Sequence, residues 1–168
     1  MFRTIFEKEK GKQASAEFME RPAKCANSDL VFLQAEQMVG ILLIMHEPLG
    51  HAFVTTATHM FNGAHERLEA IDVKADQDLN EINTLAIQAI SRLDDGDGVL
   101  VLTDVIGGTP SNCCLHIALT AQAKVEVVAG VSLPMLLRAI TYRENDMETV
   151  IEKALTGGKT GAVRIDGC

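Results

Sequence analysis

The chain has 168 residues, 47% of them hydrophobic and 23% charged, with no Trp and a single Tyr. That length supports one domain whose aliphatic core needs neither disulfides nor a metal. The net charge of −8 speaks against nucleic acid as a partner, because a phosphate backbone rewards clustered Lys and Arg.

Residues 1–37 differ from the rest of the chain. They hold Phe2, Phe6, Phe18 and Phe32, and their six Lys/Arg cancel their six Asp/Glu, so the net charge resides in 38–168. Only Ser15–Glu20 and Leu30–Gln37 read as short helices. We expect 1–37 to be a peripheral, weakly ordered extension, with a regulatory or interface tail as the alternative, and 38–168 to be the folded domain. Met38 is itself a candidate start. No hydrophobic signal core opens the chain, and the longest apolar run, Met38 to Met45, is far too short to span a bilayer. These features predict a cytoplasmic protein.

From Met38 onward strands and helices alternate. Val39–Met45 is continuously apolar, as in a parallel strand buried on both faces. Pro48 suits a helix start, and Phe53, Ala57, Met60 and Phe61 come next at helical spacing. Leu68–Val73 reads as a second strand. Asp78 is placed to cap a helix whose apolar side is Ile82, Leu85, Ala86, Ala89, Ile90 and Leu93. Val99–Thr103 is a third strand, Gly107-Gly108-Thr109-Pro110 opens a helix to about Ala121, and Val125–Ala129 is a fourth strand. Helices over Leu133–Thr141 and Asp146–Leu155 come after it. Gly157-Gly158 should stop the last helix, and Gly161–Ile165 reads as a short final strand. Such alternation predicts right-handed βαβ units, a doubly wound α/β fold and a parallel sheet. Cys25, Cys113, Cys114 and Cys168 fit neither a zinc site nor a disulfide framework. They are expected to be small buried residues in a reducing compartment.

In such a sheet, ligands bind beyond the carboxyl ends of the strands, where strand order reverses. Two strand ends carry chemical groups, Met45-His46-Glu47-Pro48 and Thr103-Asp104 with the Gly107-Gly108-Thr109 turn. Each alone is weak, since a His after a strand is commonly a polar surface residue and Asp before Gly-Gly is commonly turn chemistry. If the first and third strands are neighbours, however, His46 and Asp104 meet. A carboxylate that takes the proton of one imidazole nitrogen fixes the tautomer and leaves the other lone pair free as a nucleophile. Gly107 and Gly108 let backbone approach a ligand, the helix N-terminus favours an anion, and Thr109 adds a hydroxyl. The set suits phosphoryl transfer. It is neither a Walker A loop nor a dinucleotide fingerprint, and it calls for no metal and no cofactor. His51, His59, His65 and His116 are expected on helices or the surface.

These residues bring a resemblance into view. Residues 38–165 resemble the mannose-type IIA domains of the phosphoenolpyruvate-dependent sugar phosphotransferase system. The resemblance rests on Gly40-Ile-Leu-Leu-Ile-Met-His46, on Leu102-Thr-Asp-Val-Ile-Gly-Gly-Thr-Pro-Ser-Asn112 and on Ala129-Gly-Val-Ser-Leu-Pro-Met-Leu-Leu137. It implies a four-stranded parallel sheet of order 2-1-3-4 and a C-terminal strand exchanged in a homodimer. It implies phosphorylation of His46, with Asp104 orienting the ring and Thr109 near the phosphoryl group. The implied donor is phospho-HPr and the implied acceptor a IIB protein or domain, with membrane association only through the permease. The sequence departs from the family at Glu47-Pro48, where Gly usually comes after the histidine, and at Thr109, Ser111 and Ser132. These changes bear on partner choice rather than on phosphoryl acceptance. Two other functions fit the same residues, a regulatory phosphoprotein without a dedicated permease and a flavodoxin-like ligand-binding module. The lack of Trp disfavours flavin stacking in the latter.

Overall fold

The computed structural model describes residues 37–165. The expected helix at Ser15–Glu20, all of the expected helix at Leu30–Gln37 except Gln37, and two of the cysteines, Cys25 and Cys168, lie outside the described residues. Four strands, β1 (Gly40–His46), β2 (Leu68–Val73), β3 (Val99–Thr103) and β4 (Val125–Ala129), alternate with α1 (Leu49–Phe61), α2 (Leu79–Leu93) and α3 (Thr109–Thr120). The helices α4 (Leu133–Tyr142) and α5 (Met147–Gly161) complete the chain order. The strands form one parallel sheet in the order β2-β1-β3-β4, as expected.

The apolar run of β1 is explained by burial on both faces, its residues from Gly40 to Met45 being inaccessible. On one face Leu42, Ile44, Val73, Val99 and Val101 pack under Ile82, Ala86, Ala89 and Ile90 of α2 and Cys113, Cys114 and Ile117 of α3. Side chains alternate along a strand, so Ile41, Leu43, Met45, Leu100 and Leu102 fill the other face, also closed to solvent. There α1 packs on β1 and β2 and meets α4, which pairs with α5. Asp78 caps α2 by accepting from the Asn80 N–H at 3.0 Å. Asp146 caps α5 by accepting from the Thr149 N–H at 2.9 Å.

At the C-terminus the fold differs from expectation. Gly157-Gly158 does not stop the last helix, because α5 runs on to Gly161. These glycines are interhelical contacts rather than breakers. A Cβ at Gly157 would lie 2.7 Å from the Pro134 carbonyl oxygen, one at Gly158 2.9 Å from Met135 Sδ, and one at Gly161 2.6 Å from Pro134 Cβ. Close approach of α4 and α5 outweighs the low helix propensity of Gly, about 1 kcal/mol per residue. Gly161 is therefore helical, and 162–165 carry no strand in the single chain. Val163 and Ile165 are exposed there, at 71% and 90%.

Candidate functional site

The chain passes from β1 to β2 on one side and then crosses β1 to reach β3 on the other, so the order reverses between β1 and β3. The carboxyl ends of these two strands carry His46 and Asp104, and the fold brings them together. His46 Nδ1 lies 2.7 Å from Asp104 Oδ2, and the His46 backbone N–H donates to the same oxygen at 3.1 Å. The Val105 N–H donates to Asp104 Oδ1 at 2.8 Å. Burial alone would raise the Asp104 carboxyl. The hydrogen bonds from the His46 ring and from the His46 and Val105 amides outweigh it and hold the group below its ordinary value. An ionised carboxylate only accepts, so Nδ1 is the donor of this pair and, in the neutral ring, the lone pair sits on Nε2. The His46 side chain is 44% exposed and that of Asp104 15%, a partly buried anchor beneath an accessible ring.

Gly108 lies against that ring. A Cβ at this position would fall 2.8 Å from His46 Cε1 and 3.3 Å from Nε2. Gly108 is also the N-cap of α3 and supplies no side-chain acceptor to the first turn, so the positive end of that helix lies beside the ring. Gly107 adopts φ +86°, a conformation that favours glycine. Its N–H is spent on Ser111 Oγ at 2.9 Å, and the Ser111 hydroxyl donates to the Gly108 carbonyl at 2.9 Å. Ser111 thus staples the loop, a task its sequence position did not disclose. Thr109 is the first residue of α3 and is exposed. The third motif reaches the site through backbone, the Val131 N–H donating to the Thr103 carbonyl at 3.1 Å. Leu49, Val105 and Ile106, on the segments that carry on from His46 and Asp104, are exposed apolar residues, the last 82% accessible, and Glu47 next to His46 is exposed as well.

The remaining candidates separate from this cluster. Cys113 and Cys114 are buried free thiols, and burial pushes them up to about 11 and about 12 respectively, which makes them poor nucleophiles. His59 and His116 lie on α1 and α3. His65 lies in the loop after α1, its ring edge-on to Phe61 at 4.8 Å. His51 forms a second imidazole–carboxylate pair that no spacing in the sequence announces, with Nδ1 2.7 Å from Asp72 Oδ2. No helix among the described residues is long and apolar enough to cross a membrane.

The architecture is that of a parallel α/β domain presenting a carboxylate-bound histidine at a switch point beside a helix N-terminus. The family profile described as PTS system fructose IIA component matches residues 40–155, and the chain belongs to this family, the mannose-type IIA components of the sugar phosphotransferase system. It is 27% identical over 125 residues to the PTS system mannose-specific EIIAB component of Escherichia coli (strain K12), a match covering 73% of this chain and 38% of that one. The chain thus spans about two fifths of that relative's length. It is 30% identical over 105 residues to the PTS system sorbose-specific EIIA component of Lacticaseibacillus casei, covering 62% of this chain and 74% of the other. The fold matches the crystal structure of phosphotransferase system component EIIA from Streptococcus agalactiae. That match has a TM-score of 0.68 and 24% identity, and it covers 76% of this chain and 97% of that one.

Proposed function

We propose that this protein is a phosphoryl carrier, accepting a phosphoryl group from phospho-HPr on Nε2 of His46 and passing it to a IIB component. The observation that carries the reading is the 2.7 Å contact of Nδ1 with Asp104, which assigns the lone pair of the neutral ring to Nε2, beside the α3 N-terminus. In the transfer, the Nε2 lone pair forms a bond to phosphorus while the donor's P–N bond breaks and its electron pair returns to the donor imidazole. The ring gains positive charge, which the Asp104 carboxylate stabilises. Gly108 leaves room for the phosphoryl oxygens, and the first turn of α3 with Thr109 meets their charge. Exposed Leu49, Val105 and Ile106 on the two segments after His46 and Asp104 suit a partner that docks transiently over the histidine. We assign the protein to the cytoplasm, as a homodimer that exchanges the segment after α5. The described sheet has an open edge at β4, which such a segment would cover.

Incubation with phosphoenolpyruvate, enzyme I and HPr tests the reading. It should yield an acid-labile, base-stable adduct on the wild-type chain and none on His46→Ala. Stoichiometric labelling of His46→Ala would sink the assignment.

A further inference from the structure

We propose that Asp72 is a positioning residue for this transfer, holding the turn that carries His46 from the opposite face of the sheet. The inference rests on the phosphoryl-carrier reading and adds a residue to it.

The helix after His46 begins without a cap of its own. Its N-cap is Pro48, which makes no side-chain cap bond, and its first turn contains no acidic residue. The missing acceptor comes from the neighbouring strand. Asp72 Oδ1 accepts from the Gly50 N–H at 2.7 Å and from the His51 N–H at 3.3 Å, and Asp72 Oδ2 faces His51 Nδ1 at 2.7 Å. Both oxygens are thus bound to the first turn of α1. Gly50 permits the approach, since a Cβ there would lie 2.6 Å from Asp72 Oδ1. The carboxylate is 13% exposed, whereas the His51 side chain is 69% exposed. The ring therefore holds the carboxylate from the solvent side.

Register places this clamp next to the reacting histidine. Asp72 pairs with Met45, and Val73 pairs with His46. The Val73 carbonyl accepts the Glu47 N–H at 3.1 Å. The last two residues of β2 therefore bind the segment 47–51 through four hydrogen bonds. Val73 packs on the α2–α3 face, so by alternation Asp72 points to the α1 face. It has no route to the His46 ring except through the backbone of the turn. Asp104 fixes the ring's rotation, and Asp72 fixes the main chain that carries it. A misplacement of about 1 Å in a reacting group can cost about 10²-fold in rate.

The test measures maximal transfer rate and apparent KM with phospho-HPr, together with thermal midpoints, on the full-length chain. Asp72→Ala should lower the maximal rate roughly tenfold or more while KM stays near wild type. Asp72→Asn, whose amide oxygen still accepts from Gly50, should recover most of the rate. Asp146→Ala removes a helix cap at the far end of the sheet and is the control for stability alone, so it should lower the midpoint and leave the rate intact. His51→Ala, which removes a mostly exposed ring, loosens the clamp with little demand on folding and should also lower the maximal rate. A wild-type maximal rate in folded Asp72→Ala or in His51→Ala overturns the inference, as does an equal loss in Asp146→Ala. If the wild-type chain takes no phosphate, the phosphoryl-carrier reading falls and this inference falls with it.

Discussion

Gly108→Ala isolates what the loop does. The backbone there has φ −80° and ψ 169°, an extended conformation that any residue adopts, so the substitution adds no strain to the main chain. Its only consequence is a methyl group 2.8 Å from His46 Cε1 and 3.3 Å from Nε2. Real Cβ contacts essentially never fall below 3.0 Å and ordinary contact begins near 3.4 Å, so the ring must retreat by roughly 0.2 to 0.6 Å. The ring is not free to do so, because Nδ1 is bound to Asp104 at 2.7 Å. It either lengthens that bond or turns Nε2 away from the α3 N-terminus. Displacements approaching 1 Å cost about 10²-fold in rate when they move a reacting group. We expect transfer from phospho-HPr, measured by rapid quench, to slow by about 10- to 100-fold in Gly108→Ala and further in Gly108→Val. Thermal midpoints should stay close to wild type. A folded Gly108→Ala protein that transfers at the wild-type rate would refute the reasoning and reduce the loop to a connector.

Gly107→Ala should behave in the opposite way. A Cβ there meets nothing within 4 Å but must adopt φ +86°, so urea titration should show a loss of roughly 1–2 kcal/mol with little change in transfer rate. Asp104→Asn removes the charge that stabilises the imidazolium and should slow transfer about 10²-fold or more, read by rapid quench on a protein that circular dichroism shows to be folded. Asp104 also carries a pH signature. Its folded-state carboxyl lies below the ordinary value, so the stability it contributes is present above about pH 4 and is lost as pH falls through the lower folded value. Acid titration of wild type against Asp104→Asn should therefore converge toward low pH. Light scattering should give a dimer for the full chain and a monomer for a chain ending at Ala162, which keeps α5 whole. A monomeric full chain at micromolar concentration would count against the exchange.

The four strands and the helices between them were legible because a buried parallel strand and an amphipathic helix leave different periodicities. Val99–Thr103 and Ile82–Leu93 show the two patterns without interference. The His46–Asp104 pair was legible for a topological reason, since adjacency of β1 and β3 is enough to bring their last residues together. What failed was local punctuation. Gly157-Gly158 reads as a stop only if glycine is judged by its own propensity, and its partners, Pro134 and Met135, lie more than twenty residues earlier. Ser111 and Asp72 were silent for a related cause. A hydroxyl that bonds two backbone groups of its own loop, or a carboxylate that caps the helix of a neighbouring βα unit, has no fixed spacing to recognise.

The same end of the sheet holds two histidines bound to carboxylates at the same distance, 2.7 Å, and what separates them is where the helix amides go. At His51 two amides of the first turn of α1, those of Gly50 and His51, are bound to Asp72, so a carboxylate already occupies that helix end. At His46 the carboxylate takes the histidine's own amide and that of Val105, and the N-cap of α3 is a glycine without a side-chain acceptor. The N-terminus of α3 therefore lies beside the ring without a side-chain cap. An imidazole–carboxylate pair sets a tautomer wherever it occurs. On the phosphoryl-carrier reading we propose, such a pair also needs a neighbouring helix N-terminus and a residue small enough to let an anion reach it, and Gly108 at the start of α3 offers both beside His46.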